Sequence, residues 1–182
     1  MFYQNQELTK ENVISILREI DSDLEGVQRK LKLYCLGGTK LVLTGLRTIS
    51  KDIDFIISRE DLLMVGGSMT RVEWQKKIRI DVFPDGELPN YRYPSCTANA
   101  KKLPLYFDHL EIYSLDDVDF VLTKALAGRS TDYEDIETLL SGKNKIPQET
   151  LRERFKNIKP TKGKDTELKG KFEKFVSEYY KS

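Results

Sequence analysis

Residues 37–55 read GGTKLVLTGLRTISKDIDF. Asp52 and Asp54 stand two apart at the head of an apolar run, Phe55-Ile56-Ile57, and 52–57 reads as an interior strand. On a strand, residues i and i+2 project from one face. Two like charges held that close are unfavourable unless a cation lies between them. A hard, oxygen-seeking ion, magnesium (or manganese), suits such a pair together with substrate phosphates. Upstream, LYCL (33–36) is a short apolar strand that ends at Gly37-Gly38. A short helix is expected over Thr39–Leu46, closing near Gly45. Glycines there let the backbone approach a phosphate, the N–H groups that follow point at an anion, and Thr39 adds a hydroxyl donor.

Downstream, KKIRIDVFP (76–84) alternates. Ile78, Ile80 and Val82 take one strand face, Arg79 and Asp81 the other. Paired beside the Asp52 strand, Asp81 completes a set of three carboxylates able to hold two ions roughly 3.5–4 Å apart, the geometry of nucleotidyl transfer. Met69–Trp74 reads as a further strand joined tightly to Lys77–Phe83 around Gln75-Lys76, with Gly66-Gly67 as a plain loop. Pro84-Asp85-Gly86 is a turn signal. Residues 88–104, with three prolines, read as a loop, and His109–Tyr113 as a last short strand.

The flanks are helical. Thr9 caps a helix over 9–21 carrying Val13, Ile16, Leu17 and Ile20 at helical spacing, and Leu24–Lys30 suggests a second short one. Beyond the last strand, Ser114 with Asp117 opens a helix to Ala127 that Gly128 ends. Ser130 or Thr131 caps the next, through Leu140. Helices over Gln148–Asn157 and Asp165–Tyr180 follow. The expected class is α/β (α+β), a small mixed sheet with flanking helices: a core over 1–113 and a C-terminal helical region, 114–182, packed on it.

The chain as a whole is that of a globular domain. Its 182 residues are 39% apolar and 32% charged with a net charge of +1, so global electrostatics select no partner. No apolar run approaches the roughly 20 residues that cross a bilayer. MFYQNQELTK lacks the basic start and apolar stretch of a secretory signal, so a cytoplasmic location with Cys35 and Cys96 reduced is expected. Cys35, in an apolar run, reads as a buried structural thiol. His109 has no Cys or His neighbours for a zinc site and reads as structural.

Residues 37–55 resemble the glycine and double-aspartate signature of the DNA polymerase beta-like nucleotidyltransferase superfamily, and IRIDVF (78–83) its third-aspartate strand. LTKALAGRSTDYEDIETLL (122–140) resembles the helical segment of the abortive-infection type IV toxin-like nucleotidyltransferases and their uncharacterised relatives. The resemblance covers about residues 31–141. It implies a nucleotidyltransferase fold and metal-dependent transfer of a nucleoside monophosphate from a nucleoside triphosphate to a hydroxyl acceptor. Gly37 and Gly38 would hold the triphosphate, Asp52 and Asp54 the metals, and Asp81 would be both ligand and base. Lys124 matches a lysine expected near the phosphates. RNA, above all tRNA, or protein is the implied acceptor class, with an antitoxin protein as partner. Antibiotic modification and a non-catalytic nucleotide- or partner-binding module are the alternatives.

Several residues carry two readings. Asp81 is a metal ligand or a salt-bridge partner of a neighbouring Lys or Arg. Arg47 contacts phosphate or satisfies helix-end carbonyls. Lys124 reaches phosphate or lies on a solvated face, and Lys40 contacts phosphate or faces solvent. Arg129, Asp132 and Asp135 read as a cap and salt-bridge network. Phe2, Tyr3, Tyr91, Tyr93, Tyr106 and Tyr113 are aromatic candidates for stacking on a base, Tyr91 and Tyr93 first among them. The tail, 141–182, holds twelve Lys and Arg against six Asp and Glu, a surface for RNA or a solvated helical face.

Overall fold

The computed structural model describes residues 7–143 and 145–181, so Phe2 and Tyr3 lie outside the described residues. In chain order the elements are β1 (Leu8–Thr9), α1 (Lys10–Ser22), β2 (Leu31–Cys35), α2 (Gly37–Leu43), β3 (Ile49–Ser50), β4 (Ile53–Ile57), α3 (Arg59–Lys76), β5 (Ile80–Pro84), β6 (Glu87–Leu88), β7 (Tyr91–Arg92), β8 (Lys101–Lys102), β9 (Leu110–Ser114), α4 (Asp117–Ala127), α5 (Ser130–Leu140), α6 (Gln148–Phe155), β10 (Lys159–Pro160) and α7 (Asp165–Tyr179). The chain divides into two compact units, Met1–Asp85 with Ala100–Leu115, and Gly86–Asn99 with Asp116–Ser182. No helix among the described residues is long and apolar enough to cross a membrane.

The first unit is built on a mixed five-stranded sheet in the order β5-β4-β2-β9-β8. β2 runs antiparallel to β4 and parallel to β9, and β4 and β5 are parallel. Alternation divides each strand between two faces. Leu31, Leu33, Cys35, Ile53, Phe55, Ile57, Leu110 and Ile112 form the core with Val13, Leu17 and Ile20 of α1 and Val65, Met69 and Val72 of α3. Thr9 caps α1 in a capping box with Asn12, as its sequence predicts. Leu24–Lys30 forms turns rather than a second helix.

A strand expectation is also overturned. Met69–Trp74 is no strand, and Gly66-Gly67 no loop; both lie within the long helix α3. Asp61, Val65, Met69 and Val72 are buried at helical, not alternating, spacing. Ser58 accepts from the Asp61 N–H at 3.0 Å to cap the helix, and Lys77 ends it at φ 54°. The topology demands this element. β4 and β5 pair in parallel, and parallel neighbours need a crossover rather than a tight hairpin.

The second unit holds α4 to α7 and a small sheet in the order β10-β7-β6. Phe120, Ile136, Leu139, Leu151, Leu168, Phe172 and Phe175 are buried, and Phe155 stacks on Phe172 with centroids 4.1 Å apart. Asp116, not Ser114, caps α4, accepting from the Asp119 N–H at 2.8 Å. Segment 86–99 is not an open loop. The Tyr93 phenol donates to Asp119, whose two oxygens accept from Arg154 at 2.7 and 2.9 Å. Arg154 also reaches Asp116 at 3.2 Å. Burial pushes the Asp119 carboxyl up to about 7.

Candidate functional site

Asp52 precedes β4, Asp54 lies on it, and Asp81 stands at the register partner of Asp54 on β5. Parallel register places both side chains on the face of the sheet opposite the core. Asp52, Asp54 and Asp81 each offer a carboxylate oxygen, and these atoms all lie within 4.8 Å of one another. All three residues are half-buried.

Arg79, two residues before Asp81, shares its strand face. Its Nε donates to Asp81 Oδ1 at 2.9 Å and its Nη2 sits 2.8 Å from Oδ2, a bidentate pair. Asp81 first, then Asp52 and Asp54, raise the Arg79 pKa above its ordinary value. Three carboxylates against one guanidinium leave the cluster formally at −2. The alternation of 78–83 already put Arg79 beside Asp81, and in the structure Asp81 is a site carboxylate and a salt-bridge partner at once.

The glycine turn is built against these carboxylates. Gly37 has φ +57°, a left-handed conformation that favours glycine. A Cβ at Gly37 would stand 2.3 Å from Asp54 Oδ2, and one at Gly38 2.4 Å from Ser50 Oγ. The buried Thr39 hydroxyl accepts from the Asp54 N–H at 2.8 Å and donates to the Asp52 carbonyl at 3.4 Å. Ser50 Oγ donates to the same carbonyl at 2.9 Å. Thr39 and Ser50 thus pin the Asp52–Asp54 backbone, a positioning role that no local sequence pattern signals.

The other candidates are placed as follows. Arg47 is half-buried just past α2, its N–H on the Leu41 carbonyl at 3.1 Å. Lys40 neither faces solvent nor lies open to a ligand; it is 2% exposed and donates to the Leu115 carbonyl at 2.9 Å. Lys124, in the second unit, is buried rather than on a solvated face. Its ammonium meets Asp132 at 3.0 Å and Asp135 at 2.6 Å, and Arg129 joins Asp132 at 2.8 Å. The cap network expected of Arg129, Asp132 and Asp135 is present, with Lys124 as its centre. Tyr91 and Tyr93 are 4% and 0% exposed, which leaves neither ring a face for a base.

Chemically the site presents hard oxygen donors, excess negative charge and a close backbone turn. A divalent cation takes such hard oxygen donors, so the residues fit one.

No curated protein matches the chain. Among solved structures it is similar to an antigenic nucleotidyltransferase-like protein from Paracoccidioides brasiliensis, at 12% identity and a TM-score of 0.49, over 92% of this chain and 95% of that one. The family described as "Nucleotidyltransferase of unknown function (DUF6036)" matches residues 11–180. That match runs from α1 to the end of α7 and takes in the glycine turn and all three carboxylates, and the chain belongs to this nucleotidyltransferase family.

Proposed function

We propose that the chain is a divalent-metal-dependent nucleotidyltransferase that moves a nucleoside monophosphate from a nucleoside triphosphate to a hydroxyl of RNA or protein. The convergence of Asp52, Asp54 and Asp81 carries the reading. Bound magnesium or manganese would offset charge on the triphosphate and on the reacting phosphorus. Asp52 and Asp54 would hold the ions, their backbone pinned by Thr39. Gly37, Gly38 and Thr39 form the turn nearest the phosphates, with Arg47 as a further cationic contact. Asp81 takes the proton of the acceptor hydroxyl. The hydroxyl oxygen bonds to the α-phosphorus, the bond to the bridging oxygen breaks, and pyrophosphate leaves. An antitoxin partner belongs to the same proposal and rests on the toxin-like segment 122–140 alone.

A nucleotide-binding module without transfer is the second reading. The pairing of Asp81 with Arg79 favours it, since that pair must open before Asp81 can accept a proton. Incubation with each labelled nucleoside triphosphate, magnesium, and total RNA or protein separates the two. The parent should label an acceptor and release pyrophosphate, and Asp54→Asn should fold normally and lose nearly all transfer. Full activity in Asp54→Asn would sink the catalytic assignment. Nucleotide binding without pyrophosphate release from the parent, over all acceptor classes, would establish the module.

A further inference from the structure

The long helix α3 turns one side to the core and leaves the other open. Asp61, Val65, Met69 and Val72 are buried, while Glu60, Leu63, Gly67, Thr70, Trp74 and Lys77, spaced alternately three and four residues apart, are all exposed. Of the five large apolar side chains that the described residues expose, three lie on this helix: Leu63 at 88%, Trp74 at 70% and Met64 at 46%. Alternating three- and four-residue spacing makes the seam along which two helices interlock. Gly67 stands at the middle of that seam, beside Gly66. Neither has a left-handed backbone. A Cβ at Gly67 would meet nothing within 4 Å, and one at Gly66 only Leu62 of the same helix, at 3.5 Å. Glycine weakens a helix interior relative to alanine, and neither the backbone nor the packing within this chain requires it here.

We infer that this face is a self-association surface, on which a second copy of the chain lays its own α3 antiparallel about a twofold axis. The seam is symmetric about its midpoint, between residues 68 and 69. An antiparallel copy therefore sets Leu63 against the partner's Trp74, Gly67 against the partner's Thr70 and Glu60 against the partner's Lys77, and each contact occurs twice. Gly67 lets the two backbones approach at the crossing. Thr70 brings no unsatisfied polar group there, since its hydroxyl donates to the Gly66 carbonyl at 2.9 Å. A parallel copy would set like charges together at both ends and align the helix dipoles, so charge selects the antiparallel pair. The same match of acidic end to basic end, with an apolar stretch between, points to a copy of this chain as the occupant. One helix face, about 25 Å by 10 Å, is smaller than the roughly 800 Å² per partner of a standard interface, so the pair is reversible. α3 packs on the core face of the sheet and the carboxylates lie on the other, so pairing through α3 does not involve Asp52, Asp54 or Asp81.

Trp74 is the one tryptophan of the chain, so its emission reads the contact directly. As the full chain is concentrated, that emission should shift to the blue while sedimentation velocity shows monomer passing to dimer. Trp74→Ala and Leu63→Glu, both at exposed positions, should each weaken association about a hundredfold or more, since every contact of the seam is broken twice. Gly67→Leu should melt higher as a monomer, because leucine is the better helix former, and yet fail to dimerise because its side chain fills the crossing. A glycine with no role in association would give the first effect without the second. Glu60→Lys and Lys77→Glu should each weaken the dimer about tenfold, and an equimolar mixture of the two variants should recover the parental affinity. A parent that stays monomeric, with unchanged emission, overturns the proposal and leaves the face to a different partner. A dimer that survives Trp74→Ala or Leu63→Glu, in variants folded by circular dichroism, also overturns it, since association then uses another surface.

Discussion

Arg79→Gln tests the charge balance of the site. The wild-type guanidinium spans both oxygens of Asp81, but it is 56% exposed and Asp81 27%. Solvent screens such a pair, and breaking it costs about 0.2–1 kcal/mol, toward the upper end for bidentate geometry. A divalent ion settling nearby also feels the guanidinium directly. At about 4 Å in water that repulsion is about 2 kcal/mol for a doubly charged ion, and salt reduces it to about 1. Removing the cation therefore favours metal binding by about 1–2 kcal/mol, which is about 5- to 30-fold in affinity. The same change takes the cluster from −2 to −3 without metal, so the metal-free protein should lose stability. Two measurements read this. Titration calorimetry with magnesium or manganese should show tighter binding in the variant. Thermal melting should show a lower midpoint in chelator and a larger rise on adding magnesium than the parent gives, at about 2–4 °C per kcal/mol. Unchanged or weaker metal binding would refute the idea that Arg79 stands in for the metal at these carboxylates.

Gly37→Ala should lose about 1–2 kcal/mol to backbone strain at φ +57° and displace Asp54 by the 2.3 Å contact, so calorimetry should show weakened metal binding; parental affinity would contradict that geometry. Arg154→Met strands Asp119 without its cation, at about 3–5 kcal/mol if the carboxylate stays charged. Asp119 is an acid whose pKa burial raises to about 7, so its contribution to stability is present at low pH and lost as pH rises through that value. Removing Arg154 raises the pKa further, and urea unfolding should find the variant weakened more at pH 8 than at pH 5; an equal loss at both would argue against the assignment. Burial pushes the Cys35 and Cys96 thiols each up to about 12, so a disulfide reagent should label neither in the native protein and both in denaturant.

Much of the site was legible because it is local. Gly37-Gly38 lies between β2 and α2, and Asp52 and Asp54 stand where a two-residue spacing puts them. Asp81 could be read only as far as its strand face; its alignment with Asp54 depends on β4 and β5 lying parallel. That in turn depends on α3, part of which, 69–74, reads as a strand when taken alone. The pattern that matters, Asp61, Val65, Met69 and Val72, needs a longer window to emerge. Inward-turned polar groups were harder still. The Thr39 and Lys40 side chains turn inward because their partners, Asp54 and Leu115, are reached only through the fold. Tyr93 looked like a loop residue until Asp119, 26 positions on, and Arg154 behind it gave its phenol a buried acceptor.

The position of β2 in the sheet bears on how the chain is made. Its parallel neighbour is β9, whose first residue, Leu110, follows Cys35 only after the whole of α2, β4, α3 and β5. At ordinary translation rates that interval takes about 4–15 s. During it β4 and β5 can already pair across α3, while the far side of β2 offers a row of unmatched backbone groups. The segment Leu33-Tyr34-Cys35 is therefore where a ribosome-associated chaperone, or a strand from a chain on the next ribosome, would pair before β9 arrives.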